Sequence, residues 1–299
     1  MFSDEVIKKL IKAGEIAKKA LRYAERVTKP GVKVLDLANS IEKYVEDIGG
    51  KLAFPVNIGV NTVAAHYTPV YMDDTIIPDN SVVKIDLGVH VDGYIADTAL
   101  TVCFNPVYEG LLEATRKSLE KALEVIKPGI RASEIGKIIE NTIRSHGYKP
   151  IKNLSGHGIE RYTIHSGVII PNYNDLLNVH RLYSGVYAIE PFATNGAGLV
   201  KELNQVTIYA LRSTSRELPD EVKSFYEKIY NDRRELPFTT RWYIQSNTDV
   251  NKVRETIATL KKYKLLVEYP VLVEKENGLV SQFEHTIIVT RKEVIITTA

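Results

Sequence analysis

At 299 residues, the chain is long enough for one large domain or two ordinary ones, with a substantial buried core. Hydrophobic residues make up 44% and charged residues 25%, the balance of a globular protein and not of a disordered one. The net charge of +2 supplies no field calling for specific DNA or an anionic membrane. No run of eighteen apolar residues and no apolar leader is present, so a cytoplasmic location is expected. Cys103 is the single cysteine, which excludes an intrachain disulfide and a thiolate metal site. Its place at the end of a strand pattern reads as a small buried hydrophobe.

In chain order, the first feature is an internal repeat. Residues 29–50 read KPGVKVLDLANSIEKYVEDIGG and residues 127–148 read KPGIRASEIGKIIENTIRSHGY. At a constant offset of 98, Lys-Pro-Gly meets Lys-Pro-Gly, Asp36 meets Glu134, Leu37 meets Ile135, Ile41 meets Ile139 and Gly49 meets Gly147. Each Lys-Pro-Gly follows an amphipathic pattern, over about 4–27 and 107–126, and precedes a second apolar periodicity that a glycine stops. The repeated unit is therefore helix, Lys-Pro-Gly, helix, strands. Two such units predict an α+β fold with halves packed about a pseudo-twofold, a shared curved sheet inside and helices outside. A cleft between the halves is the natural ligand site.

Residues 196–268 break the pattern. Helix-like stretches run over Pro219–Arg234 and Thr248–Lys264 with a mild basic excess, which predicts a solvated helical insertion subdomain at 196–268. Strand patterns return at Tyr269–Glu274 and Leu279–Thr290. The main domain is then 1–195 with 269–299.

The run from Val82 to Val102 carries Asp92-Gly93, the favoured dipeptide of a two-residue type I′ hairpin turn. That turn pairs Val91 with Tyr94, Gly88 with Asp97 and Asp86 with Ala99. Asp86 and Asp97 therefore lie on one face as diagonal neighbours, roughly 7–8 Å apart at the backbone. One such acid alone reads as an edge residue in water or as a partner of Lys84. Two on one face of an apolar hairpin repel, so either one is protonated or a cation lies between them. Asp92 is simply the turn residue. Further along, Ser155-Gly-His157-Gly158 sets a histidine between glycines that let a backbone approach a bound group. Val186-Tyr-Ala-Ile-Glu190-Pro191 is a short strand ending in an acid, and Val280–Val289 places Glu284 inside a strand. Asp86, Asp97, Glu190 and Glu284 offset the charge of two divalent cations, and neutral His157 completes a five-ligand set.

In this order and setting, the five motifs resemble those of the methionine aminopeptidases. The resemblance covers almost the whole chain, including Asn57-Ile-Gly-Val-Asn-Thr-Val-Ala-Ala-His66. The insertion between the last two ligand motifs is similar to the one that separates type 2 from type 1 enzymes, and the absence of a zinc-binding or polybasic extension looks archaeal. The resemblance implies the pita-bread (creatinase/aminopeptidase) fold and removal of the initiator methionine when the second residue is small. It implies Asp86 and Asp97 on a first metal, His157 and Glu190 on a second, and Asp97 and Glu284 bridging. Glu190 would also be the acid/base, His66 would serve the amine or leaving-group side, and His165 the scissile carbonyl. Phe54, Ile164, His165 and Tyr269 would form the methionine pocket, with His66 beside it. Two divalent ions are implied, with Co, Mn, Fe and Zn all compatible. His90, His146, His180 and His285 read as structural or surface residues.

Implied partners are peptides with amino-terminal Met and the ribosome that presents them, with a monomeric protein and no membrane. The chain's own second residue is Phe2, so Met1 is expected to be retained. Two alternatives stay open: an X-Pro aminopeptidase or prolidase of the same fold, and a catalytically silent homologue that binds RNA or the ribosome.

Overall fold

The computed structural model describes residues 2–214, 218, 220–244 and 249–299; Met1, Pro219 and Thr248 lie outside the described residues. The first half holds α1 (Asp4–Val27), α2 (Val34–Asp47), β1 (Lys51–Leu52), β2 (Asn57–Val60), β3 (Val63–Ala65), β4 (Val82–Val91) and β5 (Tyr94–Cys103). The second half holds α3 (Glu109–Val125), α4 (Ala132–Ser145), β6 (Lys149–Pro150), β7 (Ser155–Ile159), β8 (Ile169–Pro171), β9 (Gly185–Ile189) and β10 (Phe192–Thr194). Then come β11 (Val200–Leu211), α5 (Asp220–Arg233), α6 (Val250–Lys262), β12 (Leu266–Glu274), β13 (Val280–Gln282), β14 (His285–Val289) and β15 (Val294–Ile296).

The duplication holds at the level of single hydrogen bonds. Gly31 and Gly129 both take left-handed backbone, which only glycine adopts freely. Each donates its N–H across to a later segment, Gly31 to Ile77 O at 2.9 Å and Gly129 to Leu182 O at 2.7 Å. The second helix of each half starts alike, with Val34 N on Thr75 O and Ala132 N on His180 O, both at 2.9 Å. Each also ends alike, on the left-handed Gly49 and Gly147. Each half has its own apolar core. The first packs Ile16, Ala20, Leu37 and Ile41 on Ile58, Ile85 and Leu87, and the second packs Leu119, Ile135 and Ile139 on Tyr187, Ile189 and Ile287.

Across the interior, β4 pairs with β5 in the predicted register, Gly88 opposite Asp97 and Asp86 opposite Ala99. Asp92 and Gly93 both have positive φ, as the type I′ turn requires. The halves meet where Ala99 bridges Glu284. Threonine side chains make most of that seam. Thr98 Oγ1 donates to Glu284 O at 2.8 Å and Thr101 Oγ1 to Gln282 O at 2.7 Å, while Thr286 Oγ1 accepts from Asp97 N at 2.7 Å and donates to Asp97 O at 2.7 Å. Beyond the seam, β13 pairs with β10 and β14 with β9, and β9 pairs with β7. Among the described residues the strands thus form four hydrogen-bonded sheets and not the one continuous sheet expected, with the sheets of the two halves meeting at the Ala99–Glu284 bridge.

Several local expectations are corrected. Val280–Val289 is not one strand: it breaks between Gln282 and His285, because Pro191 on the neighbouring segment has no N–H to continue the ladder. The segment 196–268 is not helical throughout. It opens with β11, a 12-residue strand paired with β12, whose run of charged and polar residues hides the β pattern. Lys84 pairs with neither aspartate; its buried ammonium donates to Asn61 O at 3.1 Å and Val280 O at 3.0 Å. Cys103 is half-buried, its thiol donating to Glu109 Oε1 at 3.3 Å.

The carboxyl terminus closes over α1, and Gly14 makes that approach possible: a Cβ there would lie 2.2 Å from Thr297 O. Backbone cannot yield as a side-chain tip can. Gly14→Ala should therefore destabilise the fold by about 1–3 kcal/mol, as overpacking does. Chemical denaturation of wild type and variant checks this, and equal midpoints would contradict it.

Candidate metal centre and active site

Five neighbouring strand segments each bring one ligand-type residue to a common face. In spatial order these are Asp86 on β4, Asp97 on β5, Glu284 between β13 and β14, Glu190 between β9 and β10, and His157 on β7. The pair Ile189–His285 and the pair Phe192–Gln282 share one register, so Glu190 stands opposite Glu284 in the gap. Ala99 lies opposite both Asp86 and Glu284, and Ala188 opposite His157. Small residues at these positions leave room above the sheet. The glycines around His157 serve the scaffold and not a ligand. A Cβ on Gly156 would meet Ala188 O at 2.4 Å, and one on Gly158 would meet Ser166 Oγ at 2.4 Å.

Ligand atoms of Asp97, His157 and Glu284 lie within 4.8 Å of one another. His157 Nε2 is 3.6 Å from Asp97 Oδ2 and 3.3 Å from Glu190 Oε1. Gln282, a residue to which the sequence reading gave no role, holds the carboxylates apart in order: its Nε2 is shared between Asp86 Oδ2 and Glu284 Oε2, each at 3.4 Å. Asp86 Oδ1, Asp97 Oδ1 and Glu284 Oε1 are buried with no hydrogen-bond partner. An ionised carboxylate cannot be left so at low cost.

The electrostatics say the same. Burial pushes the Asp86 carboxyl up to about 7. Burial, then the charge of Asp86, raises Asp97 well above the usual range. Burial, then Asp97, raises Glu190 and Glu284 likewise. Burial, then His165, lowers His157 to about 3, so its imidazole is neutral and able to bind a cation. Carboxylate oxygens and one imidazole suit divalent cations such as manganese, iron, cobalt or zinc. The residues present therefore fit the metal group, and the orphaned oxygens are where it would sit.

The five line a cavity of about 390 Å³. Phe54, His66, Ile164, His165 and Tyr269 line the same cavity, so every predicted site residue is brought together. His66 and Tyr269 meet edge to face with ring centres 5.5 Å apart, and His157 and His165 at 4.4 Å. Gly88 makes space for Phe54, whose Cε1 would lie 2.3 Å from a Cβ there. Asn57, Ile208, Pro237 and Leu272 also line the cavity, and the sequence reading missed all four. Ile208 and Pro237 come from the inserted segment, where no acid or histidine gave a signal. Neither His90, His146, His180 nor His285 lines it. His285 points away, its Nδ1 2.9 Å from Thr298 Oγ1.

A larger cavity of about 920 Å³ lies between α2 and the inserted segment. Of its charged residues Arg241 pairs with Glu42 and Lys43 with Asp47, and none of the five ligand-type residues lines it, so the chemistry belongs to the smaller cavity.

The comparisons agree with the geometry. Residues 8–291 match the model of metallopeptidase family M24. A methionine aminopeptidase of Pyrococcus abyssi is 45% identical over 293 residues, covering 98% of this chain and 99% of that one. Among solved structures, a thermophilic Arx1 superposes with a TM-score of 0.84 at 18% identity over 99% of this chain and 91% of that one. A methionine aminopeptidase of Thermotoga maritima superposes with a TM-score of 0.72 at 23% identity over 99% and 98%. The fold is thus the pita-bread fold that the resemblance implied, with the paired halves that the repeat predicted. Four carboxylates, those of Asp97 and Glu284 buried and those of Asp86 and Glu190 partly so, and a neutral imidazole on one sheet face, in a chain this similar over its length, leave one assignment: the chain belongs to metallopeptidase family M24, among the archaeal methionine aminopeptidases.

Proposed function

We propose that this chain hydrolyses the first peptide bond of chains that begin with methionine and carry a small second residue. The observation that carries the reading is the conjunction in one cavity of the five ligand-type residues with an apolar and aromatic recess. Asp86, Asp97, His157, Glu190 and Glu284 would hold two divalent cations, with Asp97 and Glu284 shared. When bound, such cations supply Lewis acidity, polarising a carbonyl and lowering the pKa of a water. The rest falls to the protein's own groups.

Glu190, at the cavity surface and with its carboxyl raised, takes a proton from the attacking water and returns it to the leaving amine. Desolvation by the cavity wall keeps the His165 imidazole below its usual range, so it is neutral and donates an N–H to the carbonyl oxygen as charge develops there. His66, lowered to about 4 by burial and by His165, is likewise neutral and faces the amine or leaving-group side. Phe54, Ile164 and Tyr269 enclose a flexible thioether through apolar and sulfur–aromatic contacts. Newly made chains of the cytoplasm are the substrates this reading carries.

Chelated protein reloaded with Mn, Fe, Co or Zn should release methionine from Met-Ala-Ser, and Asp97→Asn should abolish release. His165→Ala should lower kcat by roughly 100- to 1000-fold with little change in KM, as loss of one oxyanion donor does. Cleavage of an X-Pro peptide in place of Met-Ala-Ser would overturn the reading in favour of a prolidase-type activity.

Stability should report the cations independently. A carboxyl whose folded pKa is raised stabilises the fold below its unfolded value and loses that contribution as pH climbs through the folded value. For Asp86 that interval runs from 3.8 to about 7, and a bound cation removes the loss. The gain in Tm from manganese should therefore grow with pH. It should reach roughly 5–10 °C at alkaline pH for cation at about 100 times Kd. Comparing loaded with free protein at each pH cancels the buried histidines elsewhere. A gain that shrinks as pH rises would contradict the assignment.

A further inference from the structure

His66 is held in a left-handed conformation, φ 62°, which a non-glycine residue keeps only where its surroundings over-determine it. Ala65 before it pairs with Leu272 and Tyr67 O after it accepts from Ile58 N, and two side chains of the inserted segment hold the same stretch. Thr207 on β11 reaches both ends of the segment His66–Thr68: its Oγ1 accepts from Thr68 N at 3.2 Å and donates to His66 O at 3.4 Å. Arg241, in a short 3-10 turn over Thr240–Tyr243, donates from Nε to Pro69 O at 2.9 Å and from Nη2 to Thr68 Oγ1 at 3.2 Å.

Arg241 is itself fixed. Its Nη1 donates to Glu42 Oε2 at 2.6 Å and to Asn39 Oδ1 at 3.0 Å, and its Nη2 donates to Glu42 Oε1. Trp242 Nε1 donates to the same Glu42 Oε2 at 2.8 Å. Glu42 Oε1 also accepts from Val56 N at 3.1 Å, two residues from Phe54. Thr207, Arg241, Glu42 and Thr68 are all buried. A planar guanidinium forked between a carboxylate, the Pro69 carbonyl and the Thr68 hydroxyl is a rigid brace, and lysine cannot reproduce it.

We propose that Thr207 and Arg241 are positioning residues for catalysis, the inserted segment setting the backbone that aims His66 into the cavity. The inference deepens the reading of the site given above and rests on the role of His66 in it. By this account, residues 196–268 are not an ornament on the fold. They close one wall of the cavity with Ile208 and Pro237 and hold the opposite side of His66 by its main chain. Neither Thr207 nor Arg241 lines the cavity, so their effect passes through His66.

The test is a double-mutant cycle. Thr207→Val removes the hydroxyl at nearly constant size and should lower kcat/KM for Met-Ala-Ser by roughly 10- to 100-fold, as small misplacements of a reacting group do. Thr207→Ser should restore most of the loss. In a His66→Ala background, Thr207→Val should cost nothing further, because the residue it positions is gone. Manganese affinity by titration calorimetry should be equal in all four proteins. An undiminished loss in the His66→Ala background, or a fall in manganese affinity, would overturn the proposal and leave a merely structural role. Arg241→Lys gives a second route should Thr207→Val fail to fold, with the same expectation in the cycle. The imidazole nitrogen resonances of His66 provide a readout without turnover. They should shift in Thr207→Val while those of His165 stay, and unmoved His66 resonances would sink the proposal. Failure of the wild type on Met-Ala-Ser would sink the functional reading instead and leave this readout standing.

Discussion

Too much negative charge stands on one face of a buried sheet, and the rest of the site follows from how the fold manages it. Asp86, Asp97, Glu284 and Glu190 occupy adjoining strand segments, with the two glutamates directly opposed. Like charges so placed are destabilising even on an open sheet, and here burial adds to the repulsion. The ladder itself gives way at that point, between Ile189 and Phe192 and between Gln282 and His285. What remains are lone pairs without donors, a cavity shaped for cations, and a neutral histidine at its edge.

The duplicated scaffold explains how such an arrangement is assembled. Each half closes its own core with the same pair of helices and the same Lys-Pro-Gly corner. The halves then meet along a seam made largely by the hydroxyls of Thr98, Thr101 and Thr286. A hydroxyl can both donate and accept a hydrogen bond, so these side chains join two strand edges whose backbones are not in ladder register. The ligands lie on both sides of that seam, two on the first half and two on the second, with Glu284 on it.

Much of this was legible in the sequence where the signal is local. The Asp92-Gly93 turn fixes the register of a whole hairpin, so the shared face of Asp86 and Asp97 followed from two residues. The offset of 98 carried the architecture, down to the left-handed glycines that end α2 and α4. Family resemblance supplied the grouping of His157, Glu190 and Glu284 with the aspartates, which no local rule could give. Non-local structure stayed out of reach. The strand β11 reads as polar and charged along much of its length, and its partner β12 lies more than fifty residues on. Lys84 alternates with Asp86 along one strand face, but its long stem carries the ammonium to backbone carbonyls and away from the carboxylates. Ile208 and Pro237 carry no charge or motif that would have drawn them to the cavity, and Asn57, at the head of the stretch that ends in His66, has no charge to mark it there.

The threonine seam has a consequence for the protein without its ions. Each half keeps a complete apolar core when the cations leave, because neither core contains a ligand. The charges then left facing each other act within the first half, Asp86 against Asp97, and across the joint, where Glu284 faces both halves. Depletion of divalent cations would therefore spare both cores and the apolar cluster that joins them, in which Phe54 and Ile95 pack with Ile164, Ala188 and Ile288, and would leave the unneutralised charge confined to the one face where the ligands meet.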